Sequence, residues 1–141
     1  MAEVRELVEA EMEHVERTVA ELPRSDSVER LSPLELAGVA ALVHNFYNGV
    51  ENILKQVLIS RGNELPRGPA WHRDLLDIVG SKGILSETTA KELGPYLAFR
   101  HFFSHSYAFD LDGGRIAPLV RDVQKVLSSF RDDINRALAE A

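Results

Sequence analysis

Apolar residues recur along this chain at three- and four-residue intervals almost from end to end, a spacing that predicts helices and leaves no stretch of strand-like alternation. Val4, Leu7, Val8, Met12, Val15, Val19 and Leu22 form a first stripe, interrupted only at Glu11. Pro23-Arg24-Ser25-Asp26-Ser27 then breaks the helix. Ser32-Pro33-Leu34-Glu35 starts the next, with Ser32 as N-cap, Pro33 in the first turn and Glu35 at capping-box spacing. From Leu36 to Leu58 one face stays apolar through Val43, Phe46, Tyr47, Val50 and Leu54, until Gly62. Residues 63–69 read as a loop, and Trp71 to Val79 as a shorter amphipathic helix that stops near Gly80 and Gly83. Ser86, with Thr89 three residues on, opens a helix that Gly94-Pro95 is expected to bend or interrupt. Asp112-Gly113-Gly114 reads as a turn, and Ile116 to Leu138 as a final long helix. The expected fold is all-α, an up-and-down bundle of four to five antiparallel helices forming a single domain over residues 1–141.

Composition narrows the classes of function. The chain has no cysteine, which removes disulfides, thiolate zinc sites and a cysteine nucleophile and fits a reducing cytoplasm. No segment has the unbroken apolar run of a membrane span, and the acidic N-terminus lacks a signal-peptide apolar region, so a soluble, cytoplasmic protein is expected. The net charge of −6 argues against bulk electrostatic coating of nucleic acid. The charge is uneven: residues 1–30 hold nine acids and four bases, whereas residues 55–73 hold Lys55, Arg61, Arg67 and Arg73 against Glu64 alone. An acidic protein can therefore still carry a small basic site.

The chemistry concentrates in Arg100-His101-Phe102-Phe103-Ser104-His105-Ser106-Tyr107. A guanidinium and an imidazole that converge can cut RNA without a metal or other cofactor. The imidazole of His105 moves protons at neutral pH, and the Arg100 fork holds the scissile phosphate and the charge that builds on it. The nucleophile is the RNA's own 2′-hydroxyl, so DNA is excluded as substrate. On an ideal helix, five residues separate Arg100 and His105 by roughly 140°. One chain thus places them side by side poorly, and two chains across a two-fold axis would bring both pairs into one cleft.

Each of these residues also has an ordinary reading. Arg100 suits a surface salt bridge, His105 a hydrogen bond near a helix end, and Tyr107 a core or interface aromatic. Phe99, Phe102, Phe103 and Phe109 suit core or dimer packing, and His14, His44 and His72 a structural or exposed position. His101 and His105 are four apart, but no acidic residue stands between them as in HExxH, so a zinc site is poorly supported. Ser104 and Ser106 lack a recognisable Ser-His-Asp context, and there is no P-loop or GxGxxG.

Arg-x4-His-x-Tyr, here Arg100, His105 and Tyr107, resembles the signature of the HEPN superfamily and, within it, of the HepT-like toxins of bacterial and archaeal toxin–antitoxin pairs. The stretch Asn45 to Lys55 also looks like the family's second helix, and Trp71-His72-Arg73-Asp74-Leu75-Leu76 like its next, so the resemblance spans most of residues 35–135. It implies a metal-independent endoribonuclease toxin of a type VII-like system, active as a homodimer with Arg100 and His105 at the interface. It also implies a cognate minimal nucleotidyltransferase antitoxin that transfers AMP to Tyr107. A nucleotidylated phenol would add bulk and negative charge beside Arg100 and compete with RNA. A polar residue of the second helix often lies near the cleft in this family, for which Glu51 is the candidate, and Ser104 is a further supporting candidate. Where members commonly have Asn or Asp after the arginine, this chain has His101, an extra imidazole that either assists proton transfer or packs. The competing expectation is a non-catalytic helical binding or accessory subunit of a nucleotidyltransferase, in which the Arg–His pair does structural work.

Overall fold

The computed structural model describes residues 2–107 and 110–140 and is helical throughout, with no strand among them. Helix α1 spans Ala2–Ala20, α2 Pro33–Ser60, α3 Trp71–Ser81, α4 Glu87–His105 and α5 Gly113–Ala139, and a 3₁₀ helix, Ser25–Arg30, joins α1 to α2. The bundle is all-α, as its apolar periodicity requires.

Local chemistry sets the helix starts. The Ser32 hydroxyl accepts the Glu35 N–H at 3.2 Å, and the Glu35 carboxylate accepts the Ser32 N–H at 2.9 Å, a complete capping box. Ser86 caps α4 by accepting the Thr89 N–H at 3.1 Å. One reading of the sequence is corrected and one is narrowed. Asp112-Gly113-Gly114 is not a free turn: Asp112 caps α5, accepting the Gly114 N–H at 2.9 Å, and the glycines form the first helical turn. Glycine fits this close approach best, because a Cβ on Gly113 would lie a tight 3.1 Å from the Glu29 Cα and 3.2 Å from the Val28 carbonyl oxygen. Helix α4 also runs unbroken through Pro95. Proline removes the bond to the Lys91 carbonyl, and Lys91 and Pro95 are both exposed, so the orphaned group lies on the solvent side of the helix.

Neighbouring helices pair antiparallel. Glu11 of α1 meets Asn52 of α2, and Val15 lies against Gly49, where a Cβ would collide with the valine side chain. Between α4 and α5, Ser86 pairs with Asp133, Glu92 with Lys125 and Tyr96 with Leu119. One apolar core draws on all five α-helices, centred on Phe46, Tyr47, Ile53 and Leu54 of α2 and on Phe130 and Ile134 of α5. Each such side chain contributes about 1.5–3 kcal/mol when fully buried. Phe99 is buried, and Phe102 and Phe103 pack half-buried against this core, whereas Phe109 lies outside the described residues. Among the described residues no helix is long and apolar enough to cross a membrane.

A buried carboxylate ties α5 to the start of α4. Asp133 accepts the Ser86 N–H at 2.9 Å and an Arg136 N–H at 3.0 Å. Burial works to raise this carboxyl, but hydrogen bonds from Thr89, Ser86 and Arg136 outweigh it and hold the group below its ordinary value of 3.8. A carboxyl depressed in the folded state contributes stability above its unfolded value and loses it as pH falls through the folded one. Asp133→Asn is therefore expected to flatten the loss of urea stability between about pH 6 and about pH 3, chiefly below about pH 4. An unchanged slope would show that Asp133 does not carry it.

Candidate active site

The second helix places one acid on its core-facing side. Glu51 stands four residues after Tyr47 and three before Leu54, inside the apolar stripe, and is 2% exposed. It is not the solvent-facing glutamate that its residue type suggests. An unpaired carboxylate is costly at this depth, and Glu51 is doubly paired. Its Oε2 lies 2.7 Å from Nδ1 of His72, in the first turn of α3, and its Oε1 lies 3.5 Å from Nε of Arg100, on α4. Three helices thus meet at one carboxylate.

Around this point the structure gathers residues far apart in sequence. The His72 ring lies against that of Trp71, with centroids 3.5 Å apart and planes tilted by 33°, and the Trp71 ring in turn holds the Lys55 ammonium 4.2 Å from its centre. Tyr47 is buried beside Glu51, and its phenol is pushed up by burial first and then by the Glu51 carboxylate, with Arg73 and Arg100 opposing. It stays protonated at neutral pH. His44 packs edge-on to Phe103, and its ring nitrogens are buried with no hydrogen-bond partner. Burial, and then the Arg100 charge, push this imidazole down, so it is neutral.

Arg100 is anchored rather than loose. Its Nε is buried and faces Glu51, while 23% of the side chain remains exposed. That geometry is an ion pair without a close hydrogen bond, which leaves the terminal nitrogens of the fork for a ligand. The exposed part lines a cleft of about 370 Å³ between α3 and α4, bounded also by His72, Arg73, Leu97, Ala98 and His101. Three cationic or titratable side chains besides Arg100 therefore face one opening.

The structure brings Arg100 together with Glu51 and His72. It does not bring Arg100 together with His105 within one chain. His105, the last residue of α4, is exposed, and its ring meets that of His101 edge-on at 4.8 Å. His101 is exposed and borders the cleft. Ser104 is exposed and donates its hydroxyl proton to the Arg100 carbonyl at 2.9 Å, a helix back-bond. Tyr107, just beyond the helix, is 72% exposed, and its carbonyl accepts the Asp110 N–H at 2.9 Å. No group of three potential metal ligands occurs among the described residues.

The sequence reads His72 and His44 as structural or exposed; His44 is structural, buried against Phe103 and near Arg100, whereas His72 pairs with the carboxylate that Arg100 also faces. For His44 a signal was present, since it lies seven residues before Glu51 on the same helical face. For His72 there was none, because its partner is 21 residues away on another helix.

No curated protein and no solved structure matches the chain. A family model does, that of the HepT-like proteins, over residues 38–140, which takes in α3, α4, α5 and most of α2, with Glu51, His72 and the whole Arg100–Tyr107 run. The chain belongs to the HepT-like family.

Proposed function

We propose that this chain is a metal-independent endoribonuclease toxin of a type VII-like toxin–antitoxin pair. The observation that carries the reading is the tethering of Arg100 to the buried Glu51 at the edge of an open cleft, an arrangement unlike a solvated surface salt bridge. Family membership supports the same reading. The Arg100 fork binds the scissile phosphate and stabilises the extra negative charge of the transition state. His105 exchanges a proton with the reacting oxygens. Because the two residues leave α4 on different faces, the complete site forms between two copies of the chain, with His105 delivered from the exposed end of its helix.

Tyr107 is the control point. A cognate nucleotidyltransferase transfers AMP to its phenol, and the added phosphate competes with RNA for Arg100. The 72% exposure of Tyr107 suits it as an acceptor. Co-expression with the neighbouring nucleotidyltransferase is expected to add AMP mass increments that map to Tyr107 and vanish in Tyr107→Phe, with RNA cleavage only by the unmodified protein. Intact-mass measurement beside an RNA cleavage assay tests this. A folded protein with neither an increment nor cleavage would favour an accessory binding subunit.

A further inference from the structure

We infer that Glu51 and His72 form a carboxylate–imidazole dyad, and that His72 is a second proton-transfer residue of the same cleft, acting through Nε2. The inference rests on the ribonuclease reading and extends it. Cleavage by an internal 2′-hydroxyl needs two proton movements. One group takes the 2′-hydroxyl proton as the O2′–P bond forms, and another gives a proton to the 5′-oxygen as the P–O5′ bond breaks. The products are a 2′,3′-cyclic phosphate and a 5′-hydroxyl, and protons and charge balance with no further reactant. His105 supplies one of these groups, and the dyad supplies the other.

The structure prepares His72 for that task more fully than any other described imidazole. Glu51 Oε2, 2.7 Å from Nδ1, fixes the tautomer so that Nδ1 carries the proton and donates it, which leaves Nε2 as the exchanging nitrogen. The Trp71 ring, 3.5 Å away, fixes the plane of the imidazole. The side chain is only 19% exposed, yet it lines the cleft that Arg100 also lines. The same carboxylate therefore orients both the imidazole and the phosphate-binding guanidinium, and a substrate phosphate held by Arg100 lies beside His72. The other charged or titratable groups bordering the opening are Arg73 on α3 and His101 on α4, which draw the phosphodiester into it. His44, by contrast, has both nitrogens sealed from solvent and cannot reach substrate.

His72→Asn separates the proposed role from a structural one, because the asparagine amide keeps a donor near the Nδ1 position for Glu51 but has no group that titrates at Nε2. With labelled RNA in excess EDTA, His72→Asn is expected to bind an uncleavable 2′-deoxy-substituted RNA as wild type does and to cleave ordinary RNA more slowly by about 10²-fold or more. Cleavage at the wild-type rate would overturn the inference and leave His72 as a residue that positions Glu51. A second measurement does not depend on activity or on the variant folding. In imidazole nuclear magnetic resonance of the wild-type protein, saturation with the same uncleavable RNA is expected to shift the His72 ring signals. Absence of cleavage by the wild-type protein under all conditions would sink the ribonuclease reading, whereas an unshifted His72 ring would overturn the present inference whether or not RNA is cut.

Discussion

Arg100→Ala is expected to abolish RNA cleavage while leaving the bundle folded. The guanidinium is proposed to stabilise the phosphorane-like transition state, and removing one such preorganised donor costs about 10²–10³ in rate. Two further effects add to that loss. Arg100 positions the phosphate as well as stabilising it. Its removal also leaves the buried Glu51 carboxylate paired with His72 alone of these two partners. Arg100→Lys is expected to rescue little, because lysine keeps the charge but not the planar two-pronged fork. His105→Ala should lower the rate by about 10²–10⁴ through loss of proton transfer. Because His105 is exposed at the end of α4, that change should move stability by no more than about 0.5 kcal/mol. Gel assays of RNA cleavage, with circular dichroism to confirm helicity, read both variants. Full activity in either one would remove that residue from the site.

The second large effect is expected at Glu51. Its side chain is 3% exposed, and its partners His72 and Arg100 are 19% and 23% exposed. Breaking a buried ion pair by deleting one partner costs about 3–5 kcal/mol, and the partial exposure of the two partner side chains places Glu51→Ala at the lower end, about 3 kcal/mol. Three helices lose their common polar anchor, since α2, α3 and α4 meet at this carboxylate. Glu51→Gln keeps the shape and one acceptor, and so should cost less stability than alanine while still depressing cleavage, because a neutral amide holds the Arg100 fork more weakly. Urea unfolding curves separate the two. An alanine variant as stable as wild type would mean that the carboxylate does not anchor the three helices.

Much of the bundle was legible because a packed helix must repeat its apolar positions every three or four residues, and the stripes on α1, α2 and α5 do so with few exceptions. Ser32-Pro33-Leu34-Glu35 announced the start of α2 because each residue type satisfies a backbone group that only a helix end leaves free. What was misread depended on tertiary context. Asp112-Gly113-Gly114 has turn composition, but the close approach of the 3₁₀ helix at Val28 and Glu29 makes the glycines a helix start. Pro95 reads as a bend or a break, and of these the break does not occur, its lost hydrogen bond falling on the wet side of α4.

The site divides in the same way. Glu51 enters the sequence reading only through the family resemblance, since by residue type it reads as an ordinary solvent-facing glutamate. His72 could not be recognised, because a histidine in the first turn of a short helix looks the same whether it faces water or a carboxylate 21 residues earlier. The separation of Arg100 from His105 followed from helix geometry alone, and the structure keeps their contacts apart: Arg100 with Glu51, and His105 with His101.

The most direct test of the account is the purified chain, free of its proposed antitoxin, incubated with end-labelled RNA in excess EDTA. The account predicts cleavage that leaves a 2′,3′-cyclic phosphate and a 5′-hydroxyl, lost in Arg100→Ala and His105→Ala. Intact RNA after incubation with the folded, unmodified protein, or cleavage that appears only when a divalent metal is added, would contradict it.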